Sequence, residues 1–331
     1  MVPGFERKWE DSGPHYEVWY GKVNIAPHTA LWFRYTLLDG RTREASTWAV
    51  LFREEGPVGG RTVHDLDALA PPHTVIVPDT GDRDRFLRRR QVFHVDENAH
   101  LDEGNALGTA GEIGWDLRWA DSGRRFRYLP HMFNDAGVIG STYDACFLDL
   151  RVSGVVSYDG EEIGFEGRPG MLGHIQGQRI VASQWGWAHC NAFDDDEDAV
   201  FEGLSLEMLL GKRTSPPLSI FVAYVDGHRY TFNTPLSILR AKSTFARGQW
   251  RFQVKSRGVT LSGEAYAPTD VAVLEYQDTD DSNLWCYNSK LADLSLHLVD
   301  PKRRVDRRLQ ATGASAYEFV TRDPPTTDVL I

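Results

Sequence analysis

Cys146-Phe147-Leu148-Asp149-Leu150-Arg151-Val152-Ser153, followed by Tyr158-Asp159-Gly160-Glu161 and Ile163-Gly164-Phe165-Glu166, decides the fold. Cys146, Leu148, Leu150 and Val152 alternate with Phe147, Asp149, Arg151 and Ser153, the period-two pattern of a strand with one face toward a core. The Asp-Gly pair suits a tight hairpin turn, so the run after it returns antiparallel. Asp226-Gly227 repeats the device between the strand-like runs Leu218–Val225 and His228–Phe232.

Working outward, short β-rich runs recur at 16–23, 30–38, 46–52, 181–193, 200–209, 250–254, 259–266, 271–276 and 291–299. The run 30–38 contains Leu31-Trp32-Phe33-Arg34-Tyr35-Thr36, aromatic and β-branched residues that fit a pleated surface. Helical periodicity is scarce. Stretches 54–82 and 96–111 read as loops. Repeated short strands with turn punctuation define an all-β chain of the sandwich or up-and-down barrel kind. At 331 residues, two domains are expected. Gly211-Lys212-Arg213-Thr214-Ser215-Pro216-Pro217 gives the boundary, with halves 1–212 and 213–331; the alternative is a long hairpin loop inside one sheet.

Hydrophobic residues make up 41% of the chain and charged residues 25%, enough for substantial cores and an ordinary solvated surface. The net charge of −11 argues against nucleic acid or an anionic membrane as partner, since phosphate attraction needs a basic surface. The basic runs Arg83 to Arg90 and Lys302 to Arg308 read as solvated loops. No apolar core of a signal peptide follows Met1, and no stretch approaches the ~20 apolar residues of a bilayer span. Cys146, Cys190 and Cys286 stand at unrelated spacings among strand-like residues, as buried thiols of a cytoplasmic protein would. No HExxH or paired-cysteine motif supports a metal, and no phosphate loop or nucleophile elbow is present, so no cofactor is expected.

The densest chemistry lies in Gly170-Met171-Leu172-Gly173-His174-Ile175-Gln176-Gly177 and Gln184-Trp185-Gly186-Trp187-Ala188-His189-Cys190-Asn191. On a strand, Trp185, Trp187, His189 and Asn191 share one face, while Gly186, Ala188 and Cys190 share the other. A broad aromatic face with a few polar groups suits the wall of an apolar-ligand pocket, or equally a tryptophan-rich core. In the next run Glu202 shares its face with Leu204, Leu206 and Met208, and Glu207 points the other way, which makes Glu202 the candidate buried acid. His131, in Tyr128-Leu129-Pro130-His131-Met132-Phe133-Asn134, is a candidate pocket-border residue, and Trp285 and Tyr287 are candidates for the wall of a second cavity.

The pattern G-x-x-G-H-x-x-G followed by W-x-W-x-x-C-N resembles the tandem lipocalin-like family of carotenoid 1,2-hydratases (hydroxyneurosporene synthases) and tocopherol cyclases. The resemblance extends more loosely to Trp285-Cys286-Tyr287-Asn288-Ser289. It implies two lipocalin-like (calycin) antiparallel barrels in tandem, with an apolar substrate within or between them. It also implies that His174 is a site residue and that Trp185 and Trp187 are the family's tryptophan pair. Gly173 stands where the hydratases carry an acidic residue, so the usual proton donor is missing from that place. The implied activity is a cofactor-independent hydratase, cyclase or isomerase acting on a hydrophobic isoprenoid or polyketide-like molecule. His174 and Glu202 are the catalytic candidates, and Trp185, Trp187, His189, Asn191, His131, Trp285 and Tyr287 the substrate-binding ones. A non-catalytic carrier of a hydrophobic metabolite is the alternative.

Overall fold

The computed structural model describes residues 2–11, 13–71, 92–96, 98–129, 141–211, 213–267 and 271–331. Its first sheet holds β1 (His15–Ala26), β2 (Thr29–Asp39), β3 (Arg43–Phe52), β4 (Val58–His64), β5 (Phe93–Asp96), β6 (Ala99–Leu101), β7 (Asn105–Ala110), β8 (Ile113–Asp121), β9 (Phe126–Arg127), β10 (Ser141–Tyr158) and β11 (Glu161–Gly177). The second holds β12 (Ala182–Cys190), β13 (Val200–Leu210), β14 (Arg213–Thr214), β15 (Leu218–Val225), β16 (His228–Phe232), β17 (Lys242–Ala246), β18 (Gln249–Ser256), β19 (Val259–Tyr266), β20 (Ala272–Gln277), β21 (Asn283–Asp300) and β22 (Val305–Thr321). A short helix, α1 (Pro235–Arg240), follows β16, capped by Thr234 and Ser237. The strand orders are β4-β3-β2-β1-β11-β10-β8-β7-β6-β5 and β16-β15-β13-β12-β22-β21-β19-β18-β17. The chain is thus all-β, two lipocalin-like antiparallel barrels in tandem.

Both turns read from Asp-Gly pairs are tight hairpins: Asp159 and Gly160 have φ of 52° and 77°, and Asp226 and Gly227 have 50° and 72°. Five readings need correction. The sheets change between Gly177 and Ala182, so the halves 1–212 and 213–331 do not coincide with them; 211–217 is a connection inside the second sheet, where β14 pairs back onto β13. Stretch 54–82 contains β4, whose Gly60 lies against the Ala110 carbonyl so closely that a Cβ would sit 2.3 Å from it. Stretch 96–111 contains β6 and β7, and part of the basic run Lys302 to Arg308 opens β22. The other basic run, Arg83 to Arg90, lies outside the described residues. Finally, bulges between Asp144 and Phe147 and between Phe147 and Leu150 break the alternation of β10. Cys146, Phe147, Leu150 and Val152 therefore join the first lumen, whereas Leu148 faces the second barrel.

Each lumen is filled by its own side chains. Trp19, Phe33, Tyr35, Phe93, Trp115 and Phe147 pack the first; Phe201, Phe221, Trp250, Phe252 and Tyr317 pack the second. The barrels also bury their outer faces against each other in three mixed clusters. Trp32, Trp48 and Val50 meet Leu274, Tyr276 and Leu284; Tyr128 and Leu148 meet Ile220 and Val222; Tyr16, Val18 and Tyr20 meet Trp187 and Ala316. Strands β1 and β2 are consequently buried on both sides, which is why their sequences read as nearly continuous apolar runs.

Ahead of β1, the segment holding Phe5 is locked to the first barrel. The Glu17 carboxylate accepts from the amides of Lys8 (2.8 Å) and Trp9 (3.0 Å) and from His174 Nε2 (2.8 Å), while His174 Nδ1 lies 2.6 Å from the Gly4 carbonyl. Burial pushes the Glu17 carboxyl up, but the His15 imidazole 3.5 Å away and hydrogen bonds from His174 and the Lys8 amide outweigh it and hold the pKa at about 2. A carboxyl whose folded pKa lies below its unfolded value stabilises the fold above the unfolded value and loses that contribution as pH falls toward the folded one. Between pH 4.5 and 2 the wild-type chain is expected to lose roughly 3 kcal/mol more stability than Glu17→Gln, seen as converging melting temperatures in a pH series. Parallel curves would show that the ionised carboxylate does not hold the segment.

Candidate functional site

A cavity of about 470 Å³ lies between the barrels. Strands β1 and β2 contribute Tyr16, Val18, Tyr20, Trp32 and Arg34; β12 and β13 contribute Trp185, Trp187, Leu204, Leu206 and Met208. Tyr128 and Tyr143 close one side, and Pro235, Ile238 and Leu239 of the α1 turn line another. Alternation on β12 explains the placement. Trp185 and Trp187 point out of the second barrel into the cavity, while Ala188 and Cys190 point into its lumen.

Behind this wall sits Glu202, fully buried, facing across from β13. Its Oε1 lies 2.6 Å from the Tyr128 hydroxyl and accepts from Trp187 Nε1 at 2.9 Å, while its Oε2 is buried with no partner among the described residues. Burial drives its pKa up to about 8 against the opposing hydrogen bonds from Tyr128 and Trp187, which favours the neutral acid at pH 7. Tyr128 packs edge-on against Tyr143 with ring centroids 4.2 Å apart, and Tyr143 shares a hydrogen bond with Tyr20. Burial raises all three phenols well above their usual range, so the row stays protonated. Glu318, also in the wall, accepts from Lys290 Nζ (2.7 Å) and Asn288 (3.1 Å).

The structure brings Trp185, Trp187 and Glu202 together at this cavity and scatters the remaining candidates. His189 and Asn191 continue the β12 face past the cavity into the seam, where they bind backbone of the first barrel. His189 Nε2 donates to the Leu148 carbonyl (2.9 Å) and Asn191 Nδ2 to the Gly170 carbonyl (2.9 Å). Burial depresses the His189 pKa well below the ordinary value, which leaves a neutral ring. His174 lies inside the first barrel, stacked on Trp19 at 4.8 Å with both nitrogens occupied, and does not line the cavity. Neither Trp285 nor Tyr287 lines it; Tyr287 packs on Phe319 in the second lumen. His131 lies outside the described residues.

The pattern reading missed Tyr20 and Arg34, because these come from strands of the other barrel, and met Tyr128 only as part of the stretch around His131. Gly173 offered an indirect signal. A Cβ there would sit 2.3 Å from the Tyr20 hydroxyl, so the residue opposite Tyr20 on β11 must be glycine for that phenol to lie flat along the wall.

No protein-family model matches the chain, and no curated protein matches it. Solved structures do. CghA in complex with Sch210972 superposes with a TM-score of 0.63 at 11% identity, covering 93% of this chain and 88% of that one. Kievitone hydratase from Nectria haematococca gives 0.53 at 12% identity, covering 98% and 95%. A protein assigned as AttH from Nitrosomonas europaea gives 0.52 at 11% identity, covering 97% and 98%. These likenesses show the fold. The chain has the tandem lipocalin-like architecture of this group of two-barrel proteins, over nearly its whole length.

The neutral Glu202 leaves a thermodynamic trace. Its folded pKa lies above its ordinary 4.5, so the unfolded chain ionises first and native stability falls as pH rises from 4.5 to 8, by at most about 1.4 kcal/mol per pH unit. Glu202→Gln keeps an acceptor for Tyr128 and Trp187 without this penalty. Its melting temperature is expected to gain on the wild type across that window and to run parallel above it. A constant difference would mean that Glu202 is ionised in the native chain.

Proposed function

We propose that the chain is a cofactor-independent hydratase, cyclase or isomerase acting on an apolar isoprenoid or polyketide-like molecule held between the barrels. The observation that carries this reading is a fully buried carboxyl, hydrogen-bonded to two groups that line a largely apolar cavity. Kievitone hydratase, named for a hydration, and the CghA complex with Sch210972 support it through their shared fold.

The proton path runs from Glu202 through Tyr128. Tyr128 donates to Glu202 Oε1 in the resting chain; with substrate bound its hydroxyl turns to a substrate double bond or carbonyl, delivers its proton there and takes the Glu202 proton in exchange. The carboxylate formed keeps the hydrogen bond from Trp187. The faces of Trp185 and Trp187 stabilise the developing cation. In a hydration, water adds to the cation and its released proton returns through Tyr128 to Glu202. In a cyclisation, an internal double bond adds instead, and the proton lost from the product returns by the same route. The apolar walls exclude stray water and hold a flexible chain in one reactive fold, which lowers the entropic part of the barrier. His174 keeps the N-terminal segment in place in this reading, and His189 and Asn191 hold the barrels together.

Incubating the protein with prenylated and polyene compounds in deuterated buffer tests the proposal. Deuterium incorporation, a gain of one water or a change of ring count in the product is expected. Turnover should fall at least 100-fold in Glu202→Gln and Tyr128→Phe with ligand binding retained, and kcat/KM should decline about tenfold per pH unit above pH 8, where Glu202 loses its proton. Turnover unchanged in Glu202→Gln overturns this assignment. A ligand bound and released unaltered by the wild type identifies a carrier.

A further inference from the structure

One charge on the cavity wall has no ion-pair partner among the described residues. Arg127 pairs with Asp144 at 2.7 Å, and both line the cavity. Glu318 pairs with the buried Lys290 at 2.7 Å. Arg34, 8% exposed, has no carboxylate within ion-pairing distance among the described residues. Its Nε donates to Thr36 Oγ1 at 2.7 Å, and its guanidinium lies 4.2 Å from the Tyr276 ring and 5.3 Å from the Trp48 ring. Thr36 and the rings supply dipoles and π faces, not a counter-charge. Trp48 also carries Arg61, but Arg61 has Glu44 as its own partner. A guanidinium offers five donors in a planar fork that matches a two-oxygen anion; Nε of Arg34 is spent on Thr36, and the fork lies against Tyr276. Burying such a charge without a counter-ion is costly. The same wall is otherwise built of phenols, indoles and aliphatic side chains.

We propose that Arg34 recognises a carboxylate at one end of an otherwise apolar ligand, so that the molecule taken up between the barrels is an amphipathic acid rather than a neutral hydrocarbon. The inference rests on reading the cavity as a ligand site and adds the chemical class of the ligand. Arg34 pairs across β1–β2 with Tyr20 and across β2–β3 with Trp48. Tyr20 in turn begins the tyrosine row that leads to Tyr128 and Glu202. The anionic end is therefore anchored on the same wall that carries the tyrosine row. The apolar tail runs along Trp185, Leu204, Leu206 and Met208.

Calorimetric titration with dodecanoate and dodecan-1-ol at pH 7.5, which share a tail and differ in head group, tests this. The titrations cover the wild type, Arg34→Gln, Arg34→Lys and the cavity-filling Leu204→Trp, each checked for a native melting transition. Arg34→Gln is expected to weaken dodecanoate at least tenfold while changing dodecan-1-ol less than threefold, because only the acid loses a charge-assisted hydrogen bond. Arg34→Lys keeps the charge without the fork and should fall between, which covers the case in which the glutamine variant fails to fold. Equal weakening of both probes, or dodecanoate affinity unchanged in both Arg34 variants, overturns the assignment of Arg34. In that case the cavity reading survives if Leu204→Trp abolishes dodecan-1-ol binding. Neither probe binding the wild type, or Leu204→Trp changing nothing, removes the cavity reading and the Arg34 proposal together.

Discussion

The structure depends on one contact: the outer face of β1 and β2 buried against the outer face of β12, β13 and β22. A sheet closed into a barrel ordinarily turns its outer face to water. Here that face carries Tyr16, Val18, Tyr20, Trp32 and Leu38, which no single barrel could leave exposed. Burying this surface twice over forces the barrels back to back. Lys22 Nζ reaches the Ala314 carbonyl of the second barrel at 3.2 Å, His189 and Asn191 reach backbone of the first, and apolar clusters close the seam beside them. The cavity is the gap where two curved sheets diverge.

The same geometry explains the chemistry of the seam. Polar residues on these faces leave water when the barrels meet, and each must find a partner or change its protonation. Lys290 and Glu318 pair; His189 gives up its charge and donates to a carbonyl; Asn191 binds the backbone of the opposite barrel. Glu202 has no ion-pair partner among the described residues, so burial favours its neutral form in spite of the donors Tyr128 and Trp187. Neutral acid and unpaired cation are two outcomes of one desolvation, distinguished by what the facing strand supplies.

The strands were largely legible because their signals are local. Alternation located β12 and β13, and Asp-Gly pairs located two hairpins. The signal failed wherever burial on two faces erased alternation or a bulge shifted it, as between Asp144 and Leu150. The division of the sheets was misplaced because Gly211 to Pro217 is richer in turn residues than the true change of sheet near Gln178 to Val181, a short passage with little punctuation. At the site, the partners lie far apart in the chain: Glu202 meets Tyr128 across 74 residues. Alternation can say that Glu202 points inward with Leu204 and Leu206, but it cannot say whether the facing group is a carboxylate, a lysine or a phenol. For the same reason His174 attracted attention through its glycine-flanked motif, although its surroundings give it a structural duty.

Walls drawn from two barrels make ligand affinity and inter-barrel cohesion expressions of the same free energy. A molecule seated between Trp32 on one side and Trp187 on the other touches both bodies at once, so any free energy it contributes on binding must also be withdrawn before the barrels can separate. Thermodynamic linkage then runs both ways: whatever loosens the seam lowers affinity, and occupancy tightens the seam. The tether between Gly177 and Ala182 sets the effective concentration of one barrel for the other, so the seam forms without bimolecular encounter. The covalent linkage of the two barrels therefore bears on the cavity as directly as the residues that line it.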